Sequence, residues 1–224
     1  MTRAIWGIIY DLPESGRDEY LAWFHDVHMP EKLARPGYAW AAHYEVVSPQ
    51  ARHITSLAGN HDGKSSHGYI ALFGGDDTQV FLNPSPAQIK PNQTPLTREM
   101  MGRRIAQRSF IAAVEWCMGG RHSAKLAASP VIHLTCCDAP QRDESFGAWC
   151  VQQLAPVLSR DPALSMLGKM LTATGPIKHV ILAGFESVPR EQVQQAEAAI
   201  AHMEGSPFLA RRISYLPSAA PSDT

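Results

Sequence analysis

The sequence predicts an α+β protein built from two ferredoxin-like βαββαβ modules in tandem, packed sheet against sheet. Two observations carry this reading. First, an aromatic and proline framework, Tyr20 and Trp23 followed by Pro30 and Pro36, recurs without a gap at a shift of 126 residues, the distance from Trp23 to Trp149. Trp23 then falls on Trp149, Pro30 on Pro156, Pro36 on Pro162, and Tyr20 lies beside Phe146. Self-similarity at a fixed offset is the mark of a repeated unit. Second, each half spells the same order of elements, which is the split β-α-β arrangement: a four-stranded antiparallel sheet with two helices on one face.

The elements follow from local pattern. Ala4 to Tyr10 is apolar and β-prone, a first strand. Tyr20, Trp23, Phe24 and Val27 have helical spacing within a segment running from Gly16 to about His28. Pro30 disfavours helical geometry at Met29, so this helix is expected to end near His28. Tyr38 to Val47 and Gly68 to Phe73 read as the second and third strands, separated by a polar loop over 48–67. Asp77 to Leu82 suits a short helical turn, and Asn83 to Pro95, with four prolines, reads as irregular. Leu96 to Gln107 reads as the second helix and Ser109 to Cys117 as the fourth strand.

The second half repeats this order. Its strands are Val131 to Cys137, Leu164 to Thr172, His179 to Phe185 and Ala210 to Leu216, and its helices are Glu144 to Leu158 and Arg190 to Met203. The implied boundaries are a first module over 1–118, a linker over 119–129, a second module over 130–217 and a frayed tail over 218–224. A sheet with both helices on one face leaves its other face bare, and a fused second module covers it.

Composition bounds the function. The chain has 224 residues, 45% hydrophobic and 18% charged, with a net charge of −1. These values fit a folded globular protein. Lys and Arg are spread along the chain, whereas nucleic acid or an anionic membrane surface calls for a concentrated basic patch. No apolar run reaches the ~20 residues that span a bilayer, and Asp11 and Pro13 interrupt the opening apolar stretch. A cytoplasmic protein is therefore expected. Cys117, Cys136, Cys137 and Cys150 contain no CxxC pair and read as reduced, mostly buried thiols.

The polar chemistry is confined to one copy. His25, Asp26, His28 and Glu31 become Val151, Gln152, Leu154 and Val157 at the 126-residue shift. Two histidines three apart near a helix end, with carboxylates beside them, have the make-up of a general acid–base group. His25, Asp26, His28 and Glu31 are accordingly the candidate catalytic residues. His28 is expected to project toward an opening between helix and sheet, where Asp26, Glu31 or His43 would shift its titration toward neutrality. Tyr10, Trp40, His43 and Tyr44 are the candidate cavity lining. A metal would need a third ligand from His43, His53, His61, Asp62 or His67, and no recognised ligand signature is present. The alternative reading of the histidines is a helix cap. Arg103, Arg104 and Arg108 read as a solvated helix face. There is no serine nucleophile elbow and no dinucleotide fingerprint.

Trp23-Phe24-His25-Asp26-Val27-His28-Met29-Pro30-Glu31, with Pro36-Gly37-Tyr38 entering a strand, resembles the dimeric α/β-barrel superfamily, in particular its EthD-like branch. The resemblance implies a pseudo-dimeric α/β barrel within one chain. The superfamily includes small monooxygenases, isomerases, polyketide cyclases and haem-degrading enzymes, so the fold is implied more strongly than the reaction. Three readings stay open. One is acid–base chemistry, of isomerase, cyclase, decarboxylase or cofactor-free monooxygenase type, on a small apolar or aromatic metabolite. The second is a non-catalytic ligand-binding or structural protein, and the third a haem-dependent member. No cofactor is assigned, with haem or a metal ion left open. The expected partners are a small-molecule ligand and, besides the internal pseudo-dimer, a second copy of the chain.

Overall fold

The computed structural model describes residues 2–47, 66–119, 129–137, 143–189 and 205–217. The helix expected over Arg190 to Met203, most of the linker and of the 48–67 loop, and the tail lie outside the described residues. The first half runs β1 (Ala4–Pro13), α1 (Arg17–Trp23), a π-helical turn (Phe24–His28), α2 (Met29–Leu33), β2 (Tyr38–Val46), β3 (Ser66–Gly75), α3 (Gln79–Leu82), α4 (Pro86–Ile89), α5 (Pro95–Gly102) and β4 (Ile105–Gly119). The second runs β5 (Val131–Cys137), α6 (Asp143–Trp149), a second π-helical turn (Cys150–Leu154), α7 (Ala155–Leu158), β6 (Leu164–Thr174), β7 (His179–Phe185) and β8 (Gly205–Pro217).

The eight strands close into one antiparallel barrel in the order β1-β3-β2-β8-β5-β7-β6-β4, with β4 returning to β1. Within each half the order is that of a ferredoxin-like sheet. The halves are joined edge to edge by backbone hydrogen bonds, β2 with β8 and β4 with β6. Sheet-on-sheet packing is therefore an incomplete description: closure also removes the four free edges that two separate sheets would expose.

Strand alternation sorts the side chains into layers. Ile5, Ile9, Trp40, Tyr44, Ile70, Leu72 and Phe110 of the first half meet Ile132, Leu134, Met166, Met170, Leu182 and Phe208 of the second in one interior cluster. The opposite face of the first sheet, with Trp6, Ile8, Tyr10, Tyr69 and Phe73, packs under Tyr20, Trp23, Phe24 and Met29. Val131, Cys137, Leu167 and Ile181 pack in the same way under Phe146, Cys150 and Leu154. Gly74 is required by the interior packing, because a Cβ there would sit 2.2 Å from the Trp40 ring.

Three expectations need correction. The first helix does not end at His28. It widens by one residue, so that the Met29 amide bonds the Phe24 carbonyl five residues back, and it continues to Leu33. Proline lacks an N–H and clashes with the carbonyl four residues before it in a regular helix; the wider turn accommodates Pro30. The segment from Asn83 to Pro95 is not wholly irregular. Ser85 and Gln88 form a capping box that starts α4, with Pro86 in its first turn. Finally, α5 ends at Gly102 and β4 begins at Ile105, so Arg103 and Arg104 lie between the two and Arg108 lies on β4.

Candidate functional site

The spacing of Tyr20, Trp23 and Phe24 turns one face of α1 onto β1, β2 and β3, and the π turn then carries His25 and His28 over the same layer. Single π turns inside α-helices recur at functional sites. The side chain of His25 is partly exposed, and its Nε2 lies 2.8 Å from Nδ1 of His43. His43, on β2, is fully buried, and its Nε2 lies 2.7 Å from the Tyr10 hydroxyl. Tyr10 is also fully buried and meets the Tyr20 ring edge-on at 5.9 Å, and the Tyr20 hydroxyl accepts a bond of 2.6 Å from Arg104 Nε. The Arg104 guanidinium lies over the Tyr10 ring, 4.3 Å from its centroid.

Hydrogen bonds thus run from Tyr10 through His43 to the protein surface at His25, with Arg104 and Tyr20 packed beside Tyr10. A guanidinium only donates, and one assignment satisfies every member. Arg104 donates to Tyr20, while Tyr10 donates to His43 Nε2 and His43 Nδ1–H to His25 Nε2, which leaves His25 with a proton on Nδ1. Burial favours these neutral states. It lowers the His43 pKa well below the ordinary imidazole range, with His25 and Arg104 adding to the effect, and it raises that of Tyr10. Burial lowers His25 as well, while the exposed Asp26 carboxylate acts in the opposite direction.

His28 differs from the expectation. It is buried, with its ring 4.8 Å from that of Trp23 and 5.6 Å from that of Phe24. Its pKa falls to about 3 through burial first, then through the charges of Lys32, Arg104 and Arg35. It is thus a neutral imidazole at physiological pH and not a group poised near neutrality. Nor does it stand at a helix C-terminus, since the helix continues past it. Glu31 is exposed, and its carboxylate lies 4.0 Å from His28 Nδ1, beyond hydrogen-bond distance.

The expected cavity residues separate into two layers. Tyr10 and His43 belong to the layer under the helix. Trp40 and Tyr44 point into the barrel, where Trp40 Nε1 bonds Thr2 and the Tyr44 hydroxyl bonds the Ser129 carbonyl. Strand alternation accounts for the split, because Tyr44 is the next residue after His43. Arg104 is likewise no solvated cation. It, Tyr20 and Lys32 are the members of the site that the sequence did not single out. Lys32 is legible once the helix is carried through Pro30: it lies four residues after His28 on the same face, and the residue at the 126-residue shift is Leu158.

The second half holds different groups at the corresponding places. Val151 and Leu154 stand at the positions of His25 and His28, and Lys169 stands at that of His43. Lys169 is buried and ion-paired to Glu115 of β4. Among the described residues no cluster of three or more His, Cys, Asp or Glu is arranged to hold a metal ion. His53, His61 and Asp62 lie outside them, as does the side chain of His67. No described helix is long and apolar enough to cross a membrane.

No protein-family model matches the sequence, and no curated protein matches it. Solved structures do resemble it. An anthrone oxidase-like protein superposes with a TM-score of 0.64 at 9% identity, over 98% of this chain and 95% of that one. A proposed monooxygenase of Fusobacterium nucleatum gives a TM-score of 0.57 at 7% identity, over 98% and 96%. Another, of Lactobacillus acidophilus, gives 0.53 at 10% identity, over 97% and 98%. The likeness is one of fold. It extends over nearly the whole chain, and residue roles are not transferable at such identities.

Proposed function

We propose that this protein is a small-molecule enzyme that moves protons to and from an apolar or aromatic substrate at His25, within an internally duplicated, EthD-like barrel of which only the first half keeps a reactive site. The observation that carries the reading is the His25–His43–Tyr10 chain, which links a partly exposed imidazole to a fully buried phenol. His25 Nδ1–H delivers its proton to a substrate oxygen or carbanion. His43 replaces it at His25 Nε2, Tyr10 replaces the proton of His43, and the negative charge left on the phenol is held against Arg104. Removal of a substrate proton uses the opposite tautomers, in which His25 Nε2–H donates to His43 Nδ1, His43 Nε2–H donates to the Tyr10 oxygen, and the free His25 Nδ1 takes the proton to give an imidazolium. Asp26 favours the imidazolium form of His25. His28 takes the part of a neutral polar contact, and Glu31, at the rim, is peripheral.

The duplication is supported by geometry as well as sequence. Both copies widen into a π turn immediately after the paired tryptophans, and β2 and β6 begin at the same 126-residue shift. Monooxygenase-type chemistry without a cofactor fits this site, since an activated aromatic ketone needs only deprotonation before it meets dioxygen. Anthrone, named in the description of one structural neighbour, is a suitable probe. Its ring CH2 protons should exchange with D2O faster in the presence of the protein, and oxygen uptake should accompany conversion to anthraquinone and water. His25→Ala and His43→Phe should each lower the exchange rate by ~100-fold, the lower range for a general acid–base group. Exchange no faster than in buffer, or unaffected by either change, would leave the non-catalytic binding reading in its place.

A further inference from the structure

The layer between the first helix and the sheet holds three buried nitrogens that make no hydrogen bond to a described residue: Trp23 Nε1, His28 Nδ1 and Arg104 Nη2. Buried donors are satisfied in the great majority of cases, and an exception calls for an explanation. The three are neighbours through shared rings. Trp23 stacks on His28, His28 packs on Phe24, and Arg104 lies 5.4 Å from the centroid of Phe24. Beside them is Lys32, buried, with its ammonium 5.5 Å from the centroid of Trp6. His28 and Lys32, four residues apart, share one helical face, and Arg35 follows two residues past the helix end at Leu33. The charges of Lys32, Arg104 and Arg35 all reach His28. Glu31, at the exposed rim, is the carboxylate close to this group. At the 126-residue shift from His28, Lys32 and Arg35 the second half has Leu154, Leu158 and Asp161, so the fold does not require these cations.

We infer that Lys32, Arg104 and the neutral His28 and Trp23 N–H groups form a binding site for the carboxylate of a small aromatic acid. A carboxylate presents only acceptors, which complements a set of unpaired donors. Hydrogen bonds to charged partners in a dry layer are also stronger than neutral ones. The inference rests on the proposed function and names its substrate class: an aromatic acid, with the anion under the helix and the reacting part toward His25.

Benzoate tests it, with benzyl alcohol as the neutral control and binding followed by calorimetry and thermal shift. Benzoate should bind and raise the melting temperature, and benzyl alcohol should do neither. Lys32→Leu, which installs the residue of the second half, should fold and lose affinity by about tenfold or more. Arg104→Gln should also weaken benzoate, and a cooperative melting curve shows for each variant that it is folded. Failure of benzoate to bind, equal binding of benzyl alcohol, or undiminished affinity in folded Lys32→Leu overturns the inference. Binding is read without turnover. Loss of proton exchange with benzoate binding intact in His25→Ala, or the reverse in Lys32→Leu, therefore separates this site from the acid–base chain.

Discussion

At the scale of single residues, the neutral imidazoles of the first helix have a cost that depends on pH. The pKa of His28 is about 3 in the folded protein, against an ordinary 6.5, so the unfolded chain binds the proton more readily. Stability is full above about pH 6.5 and falls as pH drops toward 3, because protons are taken up on unfolding throughout that window. The shift corresponds to a loss on the order of 5 kcal/mol at most, and His25 and His43, also lowered by burial, add to it in the same direction. His28→Leu should therefore flatten the decline of unfolding free energy between pH 6.5 and 4 while leaving stability at pH 8 within about 1 kcal/mol, since leucine fills a similar volume. Urea titrations at several pH values would measure both. An unchanged pH slope would mean that His28 is not held neutral. His28→Ala is a different change, because it leaves a gap beside Trp23 and Phe24 and should cost roughly 2–3 kcal/mol. Residue chemistry was only partly legible in the sequence. Histidines and carboxylates announce themselves by type, whereas the role of Arg104 depends on Tyr10 and Tyr20, which lie more than eighty residues away in the chain.

At the scale of elements, periodicity located the eight strands and the first helix of each half, and the apolar or alternating runs that define them are local. The π turn was hidden. Its signal is a proline that sits in register with a helical stripe instead of ending it. The 126-residue shift contained the clue, since Pro30 and Pro156 are both followed by helix. The seam between β4 and β6 carries a further consequence. Lys169 is buried, Glu115 is its partner, and the Phe146 ring lies 5.8 Å from the ammonium. Glu115→Gln removes the counter-charge and strands a buried ammonium, at a cost of about 2 kcal/mol once the partial exposure of Glu115 is allowed for. Lys169→Met should be neutral or stabilising, because a buried ion pair repays little beyond its own desolvation. Chemical denaturation of the two variants would rank them, and the reverse order would mean that the pair itself holds the seam.

At the scale of the whole molecule, the closed barrel determines what a half can do alone. In the intact chain β2 of the first half pairs with β8, the fourth strand of the second, and β4 pairs with β6, the second strand of the second. Each seam thus joins a second strand to a fourth strand. Two copies of the first half present the same edges, so β2 of one copy can pair with β4 of the other and a two-fold axis relates the two seams. A fragment ending at Gly119 also exposes the interior face of Ile5, Ile9, Ile70, Leu72 and Phe110 together with both edges. Such a surface does not remain solvated in a stable monomer. The expected outcome is a symmetric homodimer that rebuilds the barrel, with aggregation as the competing fate at high concentration. Multi-angle light scattering against concentration would report the dimer, and far-ultraviolet circular dichroism would report retention of the strands. The dimer would carry two His25–His43–Tyr10 chains in place of one, so proton exchange per barrel should double if the chemistry belongs to the first half. A fragment that stays monomeric and folded would refute the edge-closure account, and a dimer without exchange activity would show that the second half contributes to the site.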